Sequence, residues 1–171
     1  MNAVQIDFFA DEEQIEAGCF GICDNLDDSV KTPAYVDLDS NNESLWVAKV
    51  LNQTGESVGF TAVDNKIEIR RDNGDMENRC DAMLHQSDRY IVFVELKDQE
   101  KGWIRHAVED QLATTIRIFQ QCHDMTIFRH KLAYACNRRH PRFASSHKEY
   151  MQRFKSTYGV RLVIGQEIVL K

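Results

Sequence analysis

The chain is poor in the residues that most restrict a fold. It has 171 residues with only 2 Pro and 8 Gly, which excludes collagen-like and low-complexity architectures. No apolar run approaches the ~18 residues of a membrane span, so no membrane partner is expected. Basic residues are missing from Met1 to Gly18, where Asp7, Asp11, Glu12, Glu13 and Glu16 stand. That is the wrong charge for a secretory or mitochondrial targeting segment, and the expected location is cytoplasmic. The cysteines, Cys19, Cys23, Cys80, Cys122 and Cys136, are odd in number and scattered, which fits reduced thiols. Cys19 and Cys23 form a C-x3-C pair, but no second Cys or His pair stands at zinc spacing. Internal repeats and linker-like tracts are lacking, as are RRM, KH, zinc-finger and helix-turn-helix signatures.

What is present is an ordinary globular composition, 43% hydrophobic and 28% charged, at the length of one domain with a sizeable core. The net charge of -6 hides a polarity. Residues 1–64 hold 13 Asp and Glu against 2 Lys and Arg, whereas residues 65–171 hold 14 against 19. A polyanionic partner therefore remains compatible with the total, because binding depends on the local basic face. Arg138, Arg139, His140, Arg142 and Lys148 form the densest basic patch, and Arg138, Arg139, Arg142 and Lys148 are the candidate nucleic-acid contacts.

The expected organisation is an acidic N-terminal extension (1–44) with a short helix near Asp11–Ala17, an accessory β-hairpin (45–65) and a core (66–171). The hairpin would pair Leu45–Leu51 with Val58–Val63 across the loop carrying Gly55; a helix over Leu45–Leu51 is the competing reading. In the core, Lys66–Arg71 alternates as a strand into the Asp72–Asp75 turn. Arg79–His85 and Tyr90–Lys97 read as further strands, the latter dense in β-branched and aromatic residues. Trp103–Cys122 takes helical spacing, with Ile104, Ala107, Val108, Leu112, Thr115, Ile116 and Phe119 on one stripe. A strand over Thr126–Cys136, a helix over Pro141–Tyr158 and a terminal strand pair, Val160–Ile164 and Glu167–Leu170, complete an α/β order β-β-β-α-β-α-β.

Tyr90–Lys97 also carries the candidate chemistry. Ile91, Phe93, Glu95 and Lys97 share one face, Val92, Val94 and Leu96 the other. An apolar strand ending in Glu and Lys on one face needs water, a partner or a ligand there. If Ser87–Arg89 is an odd-numbered loop, 86 pairs with 90 and Asp81 falls opposite Glu95, ~5 Å away at Cβ; an even loop would separate them unless a bulge intervened. Two carboxylates at that distance repel, which a divalent cation relieves. Such a cation polarises a phosphoryl oxygen and acidifies a bound water, and a nearby lysine orients that water or stabilises developing charge.

Asp81, then Glu95-Leu96-Lys97 after thirteen residues, on consecutive strands with a helix directly following, resembles the D…(D/E)-x-K signature of the PD-(D/E)xK nuclease superfamily over roughly residues 66–136. The resemblance implies a restriction-endonuclease-like mixed sheet flanked by helices. It also implies Mg²⁺ or Mn²⁺ held by Asp81, Glu95 and the backbone carbonyl of Leu96, with Lys97 positioning the attacking water. A polar residue on the following helix, often Gln, matches Gln111 between Val108 and Thr115; a helix-surface glutamine is the alternative. Cys80 stands where the signature has Pro. The acidic residue usual on an early helix has three candidate equivalents, Glu43, Asp64 and Glu68. The implied function is metal-dependent phosphodiester hydrolysis of nucleic acid. The alternatives are an inactive nuclease-like module that binds nucleic acid or a protein, the latter through the acidic N-terminal region, and an unrelated α/β protein in which the triplet is accidental.

Overall fold

The computed structural model describes residues 5–25, 27, 29–139 and 147–171. In chain order its strands are β1 (Glu13–Ile15), β2 (Cys19–Cys23), β3 (Tyr35–Asp37), β4 (Ala48–Asn52), β5 (Val58–Ala62), β6 (Ala82–Gln86), β7 (Tyr90–Lys97), β8 (His130–Asn137), β9 (Arg161–Ile164) and β10 (Glu167–Leu170). A π-helical segment, His106–Leu112, runs into α1 (Ala113–Cys122), and α2 (Lys148–Tyr158) precedes β9. The strands form two mixed sheets, one ordered β1-β5-β6-β7-β8-β9 and the other β10-β4-β2-β3. This is an α/β architecture in three layers, because the larger sheet lies between the helices and the smaller sheet.

β7 shows why. Its period-2 alternation sends Ile91 and Phe93 into the helix-side core with Leu112, Ile116 and Phe119, and Val92, Val94 and Leu96 into the core between the sheets. A strand covered on both faces needs a near-continuous apolar run, and Tyr90–Leu96 is buried throughout. The helical stripe expected over Trp103–Cys122 supplies one cover, with Ala107, Val108, Leu112, Thr115, Ile116 and Phe119 all buried.

The N-terminal third departs from the expected extension. β1 adds an edge strand to the larger sheet against β5, where a helix over Asp11–Ala17 was expected. β2 is an interior strand of the smaller sheet, paired with β3 and β4. The apolar runs expected as a hairpin are both strands, but they do not pair with each other: β4 lies between β2 and β10, and β5 between β1 and β6. The terminal strands separate in the same way, β9 onto β8 and β10 onto β4, each parallel. A run of apolar residues requires cover but does not specify which sheet supplies it. The strand expected over Lys66–Arg71 shrinks to a single bridge, Arg70 with Met76, around a turn closed by Gly74. Of the expected Pro141–Tyr158 helix, Lys148–Tyr158 is observed, and residues 141–146 lie outside the described residues. Among the described residues no helix is long and apolar enough to cross a membrane.

The smaller sheet is sealed on its outer side by Trp46, which is 1% exposed and donates its indole N–H to Asp37 Oδ2 at 3.1 Å. The ring lies flat on Gly21, where a Cβ would meet it at 2.1 Å. Gly21→Ala must push the indole outward, an overpacking penalty of ~1–3 kcal/mol. At ~2–4 °C per kcal/mol for a chain of this size, a Tm loss of roughly 3–10 °C is expected by calorimetry. Gly165→Ala, where nothing lies within 4 Å, is the control and should leave Tm nearly unchanged.

Candidate functional site

The β6–β7 connection is the three-residue loop, and Gln86 stands opposite Tyr90. The register runs back to Ala82 opposite Val94, and Asp81, one residue beyond it, is close enough for its charge to act on Glu95. At Asp81 the ladder is disturbed. Its N–H donates to Val94 O at 3.1 Å, the carbonyl of the residue paired with Ala82, while its own carbonyl accepts from Val63 N–H at 2.9 Å. Two successive residues thus address one on the partner, the mark of a β-bulge, a feature common beside functional sites because it re-aims a side chain. The Asp81 carboxylate accepts the Leu96 N–H at Oδ2, 2.7 Å away.

Glu95 is 1% exposed; Lys97 Nζ lies 3.1 Å from its Oε1, and Oε2 has no hydrogen-bond partner among the described residues. Two carboxyls and one ammonium are therefore buried together with an unsatisfied oxygen among them. Burial, then the nearby Asp24 charge, pushes the Asp81 carboxyl up to about 7, against the Leu96 N–H, which favours ionisation. Burial, then the Asp81 charge, raises Glu95 well above the carboxylate range, and Lys97 offsets only part of this. Such a site favours either protonation or an added cation.

The helix after β7 is clasped to the same place. Thr115 Oγ1 accepts the Cys80 N–H at 2.7 Å and donates to Gln111 O at 2.8 Å. Gln111 lies in the π-helical segment, which carries an extra residue per turn and is frequent at functional sites. Its Oε1 is buried without a partner, so the glutamine is not a simple surface residue.

Of the three candidates for the early acid, Glu43 pairs with Lys49 and Glu68 with Arg70. Asp64 follows β5, its N–H donating to Cys80 O, and pairs with buried Arg79 at 2.9 Å. Its charge acts on both Asp81 and Glu95. Sequence reasoning missed Asp24. It directly follows the apolar strand β2, which is the one local signal for it, and burial raises its pKa while Lys97 lowers it. Asp24 and Asp64 share a cleft of about 270 Å³ with Asn25, Asp27 and Thr32.

Arg138 and Arg139 lie just past β8, and Arg138 N–H donates to Lys97 O at 2.9 Å. Lys148 opens α2, and Arg142 lies outside the described residues. His85 sits away from Asp81 along β6, bonded to Glu12 and to Ser87 O.

Among the described residues, no three His, Cys, Asp or Glu side chains close into a ready-made metal cage. The donors at hand, two buried carboxyls near enough for one charge to act on the other, with Glu95 Oε2 unpartnered among the described residues, fit a hydrated Mg²⁺ or Mn²⁺, which takes one or two carboxylates and keeps several waters. The chain matches no protein-family model, no curated protein and no solved structure.

The raised Asp81 pKa carries a sign. Between ordinary carboxylate pH and about 7 the folded state binds the proton that the unfolded state has released, so stability falls as pH rises through this window. In EDTA, the wild-type Tm is expected to drop from pH 5 to pH 8, with millimolar Mn²⁺ restoring part of the loss at pH 8. Asp81→Asn should reduce the slope, with buried Glu95 keeping its own share, and remove the Mn²⁺ effect. An unchanged slope in that variant would assign the titration elsewhere.

Proposed function

We propose that the protein hydrolyses phosphodiester bonds of nucleic acid with a divalent cation, Mg²⁺ or Mn²⁺, as in PD-(D/E)xK nucleases. The observation that carries this reading is the unpartnered Oε2 of buried Glu95, next to Asp81 and to the Lys97 ammonium. No purely structural role accounts for keeping two carboxyls in an apolar interior with only one ammonium.

Asp81 and Glu95 would hold the cation, with the Leu96 carbonyl assisting. When bound, the cation polarises a phosphoryl oxygen and acidifies a water. The remaining work belongs to the chain. The Leu96 N–H fixes the Asp81 carboxylate in one orientation. Lys97, 12% exposed and bonded to Glu95, is confined to a small volume. There it orients the attacking water and stabilises negative charge on the phosphate. The open acceptor Gln111 Oε1 holds a water proton from the helix side. Because the donor set is sparse, water and substrate phosphate supply the remaining cation ligands.

A catalytically silent module that only binds nucleic acid is the second reading, favoured by the lack of a third carboxylate in ligand reach among the described residues.

The test is cleavage of single- and double-stranded DNA and RNA panels with Mg²⁺, Mn²⁺ or EDTA. Cation-dependent cleavage is expected, lowered ~10²–10⁴-fold in Lys97→Ala and in Glu95→Gln, with both variants folded by circular dichroism. Equal cleavage by wild type and Lys97→Ala would trace the activity to a contaminant. Oligonucleotide binding without cleavage under any condition would select the silent module.

A further inference from the structure

Strands β7 and β8 run parallel and end together, Lys97 opposite Asn137. The loops leaving them are stapled by Asn137, a fully buried side chain whose bonds all go to loop backbone. Its Oδ1 accepts the N–H groups of Gln99 and Arg139, and its Nδ2 donates to Gln99 O. A buried amide satisfied in this way holds the two loops in one relative position.

On this platform a single carboxylate bridges two arginines. Asp98, 15% exposed, accepts from Arg138 Nη2 at 3.2 Å through Oδ2 and from Arg139 Nε at 3.0 Å through Oδ1. Arg139 Nη1 also reaches Glu100 Oε1 at 3.4 Å. An anion with each oxygen on a different guanidinium presents the pattern of a phosphate spanning both. The guanidiniums are the exposed partners, at 35% and 51%, while Asp98 is the shielded one. The arginines can therefore swing toward solvent and an arriving anion while Asp98 stays in place.

We propose that Arg138 and Arg139 form a phosphate subsite for a nucleic-acid strand passing the Asp81–Glu95–Lys97 site, and that Asp98 fills it as an internal substitute anion in the free protein. The identity of the anion rests on the phosphodiesterase reading. The placement stands separately, since the C-terminal ends of parallel strands are where α/β sheets open to ligands, and the Arg138 backbone N–H is hydrogen-bonded to the backbone carbonyl of Lys97. The arrangement also selects its ligand. A lone phosphate gains little by replacing a carboxylate already seated on both arginines. A chain presents neighbouring phosphates that hold it nearby during the exchange, so the subsite discriminates for oligonucleotides over mononucleotides.

The experiment reads binding apart from cleavage. Fluorescein-labelled 12-mer oligodeoxyribonucleotide and oligoribonucleotide are titrated in EDTA at several salt concentrations. Asp98→Asn should bind about 5–10-fold more tightly than wild type, and Glu100→Gln, at an exposed position, about 2-fold more tightly. Arg138→Ala/Arg139→Ala should bind at least 10-fold more weakly, with the slope of log K against log salt reduced by about 1.4, at ~0.7 per single-strand phosphate contact. Wild-type affinity and slope in the double arginine variant, or no gain in the acidic variants, overturns the subsite. If Asp98→Asn does not fold, Glu100→Gln and Arg139→Ala decide. Tight, arginine-dependent binding by a protein that never cleaves would keep the subsite and remove the hydrolytic reading. Cleavage with arginine-independent binding would do the reverse.

Discussion

A strand covered on both faces cannot carry charge at its end without partners, and most of the local structure follows from how β7 meets that demand. Helices press on Ile91 and Phe93, the second sheet on Val92 and Val94, so Glu95 arrives in an interior already closed from both sides. Lys97 answers one of its oxygens, and among the described residues nothing answers the other. The features packed around this deficit are each uncommon: a bulge at Asp81, a threonine clasp from the helix, and a π-helical turn carrying Gln111. Had the site been built only for stability, a hydrophobic pair would have served at least as well.

The second sheet is a constituent of the site and more than a cover for the first. Because Asp24 directly follows β2, the strand direction carries an acid to the place where β5 delivers Asp64 and β7 delivers Lys97. Asp24, Asp64, Asp81 and Glu95, from four chain segments, then lie in one charged neighbourhood with the Lys97 ammonium and, at Asp64, the Arg79 guanidinium. Each raises the cost of ionising the next, which is why Asp24 and Asp64 count among the causes of the Asp81 shift. Electrostatics joins parts of the chain that local sequence cannot join.

The parts legible beforehand are those governed by period and loop parity. Alternation identified β7, and the three-residue Ser87–Arg89 loop fixed the register from Gln86 opposite Tyr90 back to Ala82 opposite Val94; the bulge at Asp81 lies beyond what loop parity can specify. The 3.6-residue stripe identified the helix to within a few residues. The illegible parts are all choices between equivalent partners. β4 and β5 are both short apolar strands six residues apart, and adjacency suggested a hairpin. Yet β4 takes β10 as its parallel neighbour across more than a hundred residues, because the smaller sheet needed a strand on that edge. Asp98 with Arg138 and Arg139 is the same case at 40 and 41 residues' separation; each reads alone as an ordinary surface charge.

The charge polarity of the chain takes on a different meaning in this geometry. Acidic residues 1–64 and the more basic remainder do not form an extension and a core, because each sheet contains strands from both. Instead, Asp24, Asp27 and Asp64 share one cleft, while Arg138 and Arg139 stand just past β8 on Asp98. An acidic cleft repels a polyanion and attracts a divalent cation. Under the proposed function the acids would serve the cation and the arginines the phosphate chain, so that Asp24 and Asp64 would oppose a strand held by the arginines wherever their charge is not offset.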